Sequence, residues 1–222
     1  MRWKSLLFDF DGTLADSALL HAKAFREALN AACPGKPVAF DYSRLKGLTT
    51  RAAFMHLGIV DSAALDACVA HKRTLYCEAV RAGRLTMYED APALLRASIE
   101  SGGANYLVTS GSADSIDLAL EVLGLKRFFV GVITADDAVA GKPAPDLYRV
   151  CLDRYGLKPG LSLAIEDAPA GVLSAQAAGL RVAGVHNPAV ARIADYYFAT
   201  LGELMIALRL SNPPRGSDRG LI

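Results

Sequence analysis

Short apolar segments alternate along the chain with stretches of helical periodicity. Five of these segments predict β-strands, at 5–9, 104–109, 128–134, 162–165 and 181–185. Each is an almost uninterrupted apolar run, as expected for strands whose two faces are both covered by helices. Strands that alternate with helices in this way are typical of a parallel sheet. The pattern therefore predicts an α/β fold with helices around a parallel sheet.

The helices between these strands have recognisable ends. Ser112 is a predicted N-cap for a helix that stops at Gly124. Pro145 can open the next helix, and Gly179 follows the end of another. These signals support the regular alternation of strand and helix in the second half of the chain.

One region breaks the alternation. From residue 16 to about residue 86 the sequence has only helical patterns and no convincing strand. A helical segment of this length, inserted after the first strand of an α/β sheet, indicates a separate all-helical cap. We therefore predict a core at 1–15 and 87–210, a cap at 16–86 and a loose tail at 211–222.

Composition narrows the possible functions. Of the 222 residues, 52% are hydrophobic and 21% are charged, and the formal net charge is +1. This balance offers no basic surface for nucleic acid, and no apolar run approaches the roughly 20 residues that span a bilayer. The 4 cysteines form no C-x-x-C pair, which favours reduced and mostly buried thiols. We expect a soluble cytoplasmic protein without nucleic-acid or membrane partners; the oligomeric state stays open, with a monomer favoured.

The first candidate site residues follow the first predicted strand. Asp9 and Asp11 are two positions apart, so an extended chain places them on one side, and Gly12 permits a sharp turn. In open α/β sheets, ligands bind at the carboxyl ends of strands. Two close carboxylates need a cation or a proton if both are to be desolvated. Taken alone, the motif is equally compatible with a solvated acidic turn.

Two further motifs offer groups suited to an anion. Thr109 and Ser110 stand where a strand leads into a helix, and a hydroxyl with free N–H groups at a helix N-terminus forms an anion site. Lys142, between Gly141 and Pro143, supplies a fixed positive charge for a phosphoryl oxygen. Taken separately, these features are also typical of an ordinary helix cap and of a surface lysine in a turn.

A fourth motif ends another apolar strand with two acids, Glu166 and Asp167. Hard divalent cations such as Mg²⁺ take oxygen ligands and are often held by carboxylates together with a substrate phosphate. Helix capping by Asp167 is the alternative. Together, the four motifs supply what phosphoryl transfer needs, namely an attacking aspartate, an aspartate for proton transfer, a divalent metal, a threonine and a lysine.

With these motifs in this order, the chain from residue 5 to about residue 208 resembles the haloacid dehalogenase superfamily of phosphohydrolases. The resemblance is to the subgroup with a helical cap after the first motif, and it implies a Rossmann-like parallel sheet. It implies that Asp9 is the nucleophile that becomes an aspartyl-phosphate and that Asp11 is the general acid and then the general base. The presence of Asp11 disfavours dehalogenase and phosphonatase activities, whose members lack an aspartate there.

The same resemblance implies the remaining core roles. Thr109, Ser110 and Lys142 would bind the transferring phosphoryl group. The implied ligands of Mg²⁺ are Asp9, Asp167 and the backbone carbonyl of Asp11, with Glu166 assisting.

The predicted cap holds candidate substrate contacts. His21, Arg51 and Lys72, with Gly47 in the loop before Arg51, resemble cap residues with which β-phosphoglucomutases contact a sugar phosphate. Lys72 and Tyr76 share one helix face because they are four residues apart. Structural roles are the alternative for all of them: a packed histidine, a paired arginine and a packed lysine.

Two departures favour a phosphatase over a mutase. The loop from Gly47 to Arg51 is one residue longer than the usual mutase pattern, and Glu89 and Asp90 replace a common Pro-Gly pair. We therefore predict a Mg²⁺-dependent phosphatase whose partner is a small phosphorylated metabolite such as a sugar phosphate. The alternatives are a β-phosphoglucomutase-like isomerase and, outside the enzymes, a phospho-accepting receiver domain, for which this chain is long.

Overall fold

A computed structural model describes residues 3–33 and 39–210, so the tail predicted at 211–222 lies outside the described residues. Strands in the described part of the chain are β1 (Ser5–Phe8), β2 (Ala15–Asp16), β3 (Thr86–Met87), β4 (Ala104–Val108), β5 (Gly131–Ile133), β6 (Ser162–Glu166), β7 (Arg181–Val185) and β8 (Tyr196–Phe198). Six of them form a parallel sheet in the order β5-β4-β1-β6-β7-β8. The other two, β2 and β3, pair antiparallel as a short ribbon. The predicted α/β class is confirmed.

Helices separate most of these strands. They are α1 (Ala18–Ala32), α2 (Thr50–His56), α3 (Ser62–Arg81), α4 (Ala91–Glu100), α5 (Ala113–Val122), α6 (Asp146–Arg154), α7 (Pro169–Ala177) and α8 (Leu201–Ala207). Because α1, α2 and α3 all lie between β2 and β3, the insertion after β1 is an all-helical cap, as predicted. The bounds of 16–86 for the cap, and of 1–15 and 87–210 for the core, stay predictions. Over residues 3–33 and 39–210, no helix combines the length and apolar character of a membrane span.

The five predicted strands correspond to β1, β4, β5, β6 and β7. The strand predicted at 128–134 starts later, at Gly131, because Lys126–Phe128 forms a single 3₁₀ turn. Strand β8 was not predicted, since it is a three-residue edge strand whose Tyr196 is 38% exposed. Strands β2 and β3 have two residues each, which is too short for a hydrophobic pattern.

The two faces of the sheet bury separate apolar clusters. Leu6 and Phe8 of β1 pack with residues of α4, α5 and α8, whereas Leu7 packs with residues of α6 and α7. The split follows from the pleat of β1, in which successive side chains point to opposite faces. Helices therefore cover both faces, which explains why the central strands are mostly apolar on both sides.

The cap has a small core of its own and also packs on the sheet domain. Its internal cluster includes Phe25 and Phe54, whose ring centroids are 4.9 Å apart. In the second half of α3, Tyr76, Cys77 and Val80 belong to the cluster that continues into α5. The cap is thus joined to the core by buried apolar contact as well as by the two chain crossings.

Candidate active site

The candidate site lies at the centre of the sheet, at its carboxyl end. Strand β1 has β4 on one side and β6 on the other. The motif residues follow these strands directly, with Asp9 after β1, Thr109 after β4 and Asp167 after β6. Strand order reverses at β1, and the crevice at such a switch point is where open α/β sheets bind ligands.

Lys142 joins the first motif to the fourth. Its ammonium group donates to Asp9 Oδ1 (2.7 Å), to Glu166 Oε1 (2.6 Å) and to the backbone carbonyl of Val108 (2.8 Å). All three N–H bonds of the ammonium group are thereby used. Burial disfavours the charge, but the carboxylates of Asp9 and Glu166 outweigh it and raise the pKa of Lys142. Lys142 is therefore a fixed, buried cation rather than a surface lysine in a turn.

Asp9 is 5% exposed, and its backbone N–H donates to the carbonyl of Ile165 on the neighbouring strand (2.9 Å). Burial raises the pKa of the Asp9 carboxyl, although Lys142 acts in the opposite direction. Since Lys142 holds Oδ1, the other carboxylate oxygen is the one that can attack a phosphorus atom. The position suits a nucleophile.

Three buried carboxylates face one another beside Lys142. Asp9, Glu166 and Asp167 each offer an oxygen within 4.8 Å of the other two. Burial, followed by the charge of Asp9, raises the pKa of Asp167 to about 6. Burial is also the main cause that raises the pKa of Glu166 to about 8. Burial thus makes ionisation of these carboxyl groups costly, and a bound cation would offset that cost.

The cluster fits a hard divalent cation. Glu166 Oε2 and Asp167 Oδ1 are buried, and neither has a hydrogen-bond partner within residues 3–33 and 39–210. Two glycines let their backbone pack directly against these carboxylates: a Cβ on Gly12 would overlap Asp167 Oδ2 at 2.2 Å, and one on Gly171 would overlap Glu166 Oε2 at 2.1 Å. Unpaired buried carboxylate oxygens match the all-oxygen ligands of Mg²⁺. The Asp11 carboxylate is not part of this cluster. The resemblance implies the backbone carbonyl of Asp11, and not its side chain, as a ligand of the metal.

Asp11 begins a line of three polar side chains that runs into the cap. His21 Nε2 lies 2.8 Å from Asp11 Oδ1, and Lys72 Nζ lies 2.8 Å from His21 Nδ1. A protonated Lys72 can only donate, so Nδ1 accepts and Nε2 carries the proton donated to Asp11. Burial alone would raise the pKa of Asp11, but His21 and then Lys72 lower it to about 2. The line holds Asp11 as a carboxylate.

Aromatic rings surround the cap end of this line. The His21 ring lies between Tyr76 (centroids 4.6 Å apart, 8° between planes) and Tyr42 (5.9 Å, 18°). Lys72 Nζ lies 5.0 Å from the ring centroid of Phe25. Burial lowers the pKa of Lys72 to about 8 and also lowers that of His21. Tyr42 was missed in the sequence, since it stands in a short 3₁₀ turn with no motif around it.

The second motif lies opposite Asp11. Thr109 is 1% exposed, and its hydroxyl accepts from the N–H of Gly111 (3.1 Å). Helix α5 starts after Ser112 as predicted, but the Ser112 hydroxyl donates to Ser115 Oγ (2.9 Å) and makes no capping bond. The N–H of Ala113 donates to Asp136 Oδ2 (2.8 Å), so this N–H group is not free for an anion. The expected anion site at the helix end is therefore only partly available, and the phosphate-binding roles of Thr109, Ser110 and Lys142 stay predictions.

One cap loop reaches down to the core. Lys46 Nζ lies 2.9 Å from Asp167 Oδ2, and the Ser110 hydroxyl donates to the carbonyl of Gly47 (2.7 Å). Gly47 has a φ of +80°, and a Cβ there would lie 3.2 Å from those of Ala168 and Ala170. Lys46 was missed in the sequence; its place beside Gly47 in the predicted substrate loop was the available signal.

A cavity of about 340 Å³ separates the cap from the core beyond Asp11. Its lining includes Asp11, His21, Thr49, Arg51, Lys72 and Ser110. A smaller cavity of about 50 Å³ shares Asp11, His21 and Lys72 and is also lined by Asp9 and Thr109. The structure thus brings His21 and Lys72 to the reacting centre, and Gly47 to the seam between cap and core. Arg51 stands at the cavity wall, with its side chain half-exposed and paired with Asp66.

The fold and the site together define a capped α/β enzyme built for phosphoryl transfer. The family model for haloacid dehalogenase-like hydrolases matches residues 6–185, and the chain belongs to this family. This membership decides against the receiver-domain alternative. The protein is a phosphoric monoester hydrolase.

Two relatives of this chain are phosphatases, and two solved structures share its fold. The chain is 33% identical over 184 residues to the fructose-1-phosphate phosphatase YqaB of Escherichia coli K12, covering 81% of this chain and 94% of the relative. It is 34% identical over 191 residues to hexitol phosphatase A of the same organism, covering 85% and 86%. A hydrolase from Pseudomonas syringae has the same fold, with a TM-score of 0.83 at 22% identity over 93% of this chain and 98% of that one. A β-phosphoglucomutase from Clostridium difficile shares it too, with a TM-score of 0.82 at 20% identity over 93% and 95%.

Proposed function

We propose that this protein is a Mg²⁺-dependent phosphatase that hydrolyses a small phosphorylated sugar or polyol through an aspartyl-phosphate at Asp9. The observation that supports it most is the buried cluster of Asp9, Glu166 and Asp167, in which Lys142 joins Asp9 to Glu166 and Asp9 lines a cavity under the cap. Such a cluster supplies both a nucleophile and a place for a divalent cation.

The first chemical step uses the oxygen of Asp9 that Lys142 leaves free. This oxygen forms a bond to phosphorus while the bond from phosphorus to the ester oxygen breaks, and Asp11 protonates that oxygen. Thr109 donates to a phosphoryl oxygen, and the fixed charge of Lys142 beside Asp9 stabilises the negative phosphoryl group. Asp9, Asp167 and the Asp11 carbonyl would hold Mg²⁺, with Glu166 beside it. When bound, Mg²⁺ neutralises negative charge on the phosphate.

The second step releases phosphate. Water attacks phosphorus, Asp11 accepts the water proton, and the bond between Asp9 and phosphorus breaks. His21 favours this step because it holds Asp11 as a carboxylate, with a pKa of about 2. For the first step Asp11 must carry a proton, and the negative charge of a bound phosphate ester raises the Asp11 pKa in that direction.

The cavity supports a neutral, hydroxyl-rich leaving group. Side-chain hydroxyls along its wall are those of Thr49, Thr50, Ser110, Ser112 and Ser115. Its two arginines are already paired, Arg51 with Asp66 and Arg73 with Asp114. A second phosphate would compete with these carboxylates for the arginines, whereas sugar hydroxyls can exchange hydrogen bonds with the wall. The relatives named above as fructose-1-phosphate and hexitol phosphatases support the same substrate class.

The ion pair between Arg51 and Asp66 also supports water, rather than a sugar hydroxyl, as the acceptor of the phosphoryl group from Asp9. A mutase must grip the distal phosphate of a bisphosphate while the aspartyl-phosphate waits for a hydroxyl. Arg51, the cap residue suited to that grip, follows a loop one residue longer than the mutase pattern and pairs with Asp66. We therefore infer that hydrolysis dominates.

A turnover screen tests this function. Purified protein is given monophosphates of sugars and polyols with Mg²⁺, and both free phosphate and isomerised product are measured. We expect phosphate release that EDTA removes and Mg²⁺ restores. With β-glucose 1-phosphate and a trace of glucose 1,6-bisphosphate, we expect little glucose 6-phosphate. Full activity in metal-free protein would contradict the metal requirement, and rapid glucose 6-phosphate formation without phosphate release would establish a mutase instead.

A further inference from the structure

A buried tyrosine that no motif identifies contacts the acidic cluster. Tyr148 is 0% exposed, and its hydroxyl donates to Glu166 Oε1 at 2.6 Å. It stands on the first turn of α6, the helix that follows the Lys142 loop. The ring centroid of Tyr148 lies 5.3 Å from Lys142 Nζ. The same short segment therefore delivers a cation and a neutral donor to one carboxylate.

Both donors reach the same oxygen of Glu166. Lys142 Nζ is also 2.6 Å from Oε1, so this oxygen accepts two short hydrogen bonds. Glu166 Oε2 is buried and has no partner among the described residues, and the Gly171 backbone packs against the carboxylate so closely that a Cβ there would lie 2.1 Å from Oε2. The carboxylate is thus held at one oxygen and free at the other.

Lys142 cannot hold Glu166 in this orientation alone. Its three N–H bonds are divided among Asp9, Val108 and Glu166, so it gives Glu166 a single hydrogen bond. A carboxylate held by one donor can rotate about its own axis and bring either oxygen to that donor. The Tyr148 hydroxyl adds a second point of attachment at Oε1 and adds no charge.

We propose that Tyr148 is a positioning residue for the divalent-cation site: its hydroxyl locks the Glu166 carboxylate so that Oε2 is presented to the ion or to a water bound to it. This inference rests on the proposed Mg²⁺ site. Tyr148 touches neither the substrate nor the reacting atoms, and it acts only through Glu166. Such supporting hydrogen bonds to metal ligands typically contribute about 10–100-fold to metal affinity.

Tyr148→Phe tests this role because it removes one oxygen and keeps the ring. Mg²⁺ affinity is measured directly by isothermal titration calorimetry on metal-free protein, without turnover. We expect the dissociation constant of Mg²⁺ to rise about tenfold. The Mg²⁺ concentration needed for half-maximal activity should rise by the same factor, while KM for the phosphate ester at saturating Mg²⁺ stays unchanged. Tyr106→Phe is the matched control, since Tyr106 is a buried tyrosine of the same apolar cluster whose ring packs on Tyr155.

Two further variants isolate the pathway through Glu166. In Glu166→Gln, Lys142 and Tyr148 can still donate to Oε1 while an amide replaces Oε2, so Mg²⁺ should bind at least as weakly as in Tyr148→Phe. In a Glu166→Ala background, Tyr148→Phe should cause no further loss. Wild-type affinity in Glu166→Gln, or an added loss in the Glu166→Ala background, would overturn the inference.

The outcomes also separate this inference from the proposed function. If wild-type protein binds Mg²⁺ and Tyr148→Phe binds it equally well, the positioning role is wrong and the phosphatase proposal is unaffected. If wild-type protein binds no Mg²⁺, the proposed function and this inference both fail.

Discussion

Lys72 and His21, 51 residues apart in the chain, meet inside the cap with Lys72 Nζ 2.8 Å from His21 Nδ1. The contact decides which nitrogen of His21 carries the proton, and it makes a buried cation part of the surroundings of Asp11. Both consequences can be measured.

Burial lowers the pKa of Lys72 from 10.5 to about 8. Between these values the unfolded chain binds a proton that the folded chain has lost, so the Lys72 contribution to stability increases with rising pH. Relative to Lys72→Met, the free energy of unfolding of the wild type should rise by roughly 3 kcal/mol between pH 8 and 10.5. Urea denaturation of both proteins at several pH values measures the difference. A difference that does not change with pH would show that Lys72 is not a buried cation.

Replacing the nucleophile should abolish turnover and leave the fold unchanged. In Asp9→Asn the amide fills the same space but cannot attack phosphorus, so kcat should fall by at least about a thousandfold. Circular dichroism and the melting temperature check that the variant is folded. Phosphate release at a rate close to that of the wild type would refute the assignment of Asp9.

Alanine at Gly47 should disturb the seam where the cap loop meets the core, because its Cβ would lie 3.2 Å from those of Ala168 and Ala170. Gly58, also in the cap, is the matched control: its φ of +89° is similar, but a Cβ there meets nothing within 4 Å. Alanine at either site should lower stability by about 1–2 kcal/mol, the cost of a left-handed conformation. Only Gly47→Ala should also lower kcat/KM, which steady-state kinetics would reveal. Equal kinetic losses in both variants would show that the seam is not needed for activity.

Arg51 should matter only for substrates with a second anionic group. Arg51→Ala should raise KM for such substrates about tenfold, the size expected for a lost hydrogen bond between charged groups. Monophosphates of otherwise uncharged sugars should be almost unaffected, because Thr109 and the charge of Lys142 act on the reacting phosphate without Arg51. Arg44→Ala, which removes another exposed cap arginine, serves as the control. A similar loss for every substrate would instead place Arg51 near the reacting phosphate.

The sequence was most informative where neighbouring residues form a local pattern. Strand β6, for example, has an apolar run at 163–165, and the acids Glu166 and Asp167 at its end mark the carboxyl edge of the sheet. Contacts between distant residues leave no such mark, which is why Lys46 was missed although it lies 2.9 Å from Asp167, 121 positions away. Tyr148 was missed for a related reason. It lies on the buried face of α6, and the hydrophobic pattern does not distinguish a tyrosine that only packs there from one whose hydroxyl donates a hydrogen bond.

Hydrogen-bond chemistry around a helix end was also beyond the sequence pattern. Ser112 was correctly placed before α5, yet its hydroxyl bonds to Ser115 and the first N–H group bonds to Asp136. A one-dimensional pattern predicts where a helix begins. It does not predict which acceptor binds the N–H groups at that helix end, because the acceptor here, Asp136, is 23 residues away in the chain.

The ribbon formed by β2 and β3 determines how the cap can move. Ala15 pairs with Met87 and Asp16 with Thr86, and the N–H of Tyr88 donates to the carbonyl of Leu14 (3.0 Å). The two chain crossings are therefore one double-stranded strap and not two independent tethers. The two crossings are hydrogen-bonded to each other, so a displacement of one of them would have to carry the other with it or break these bonds.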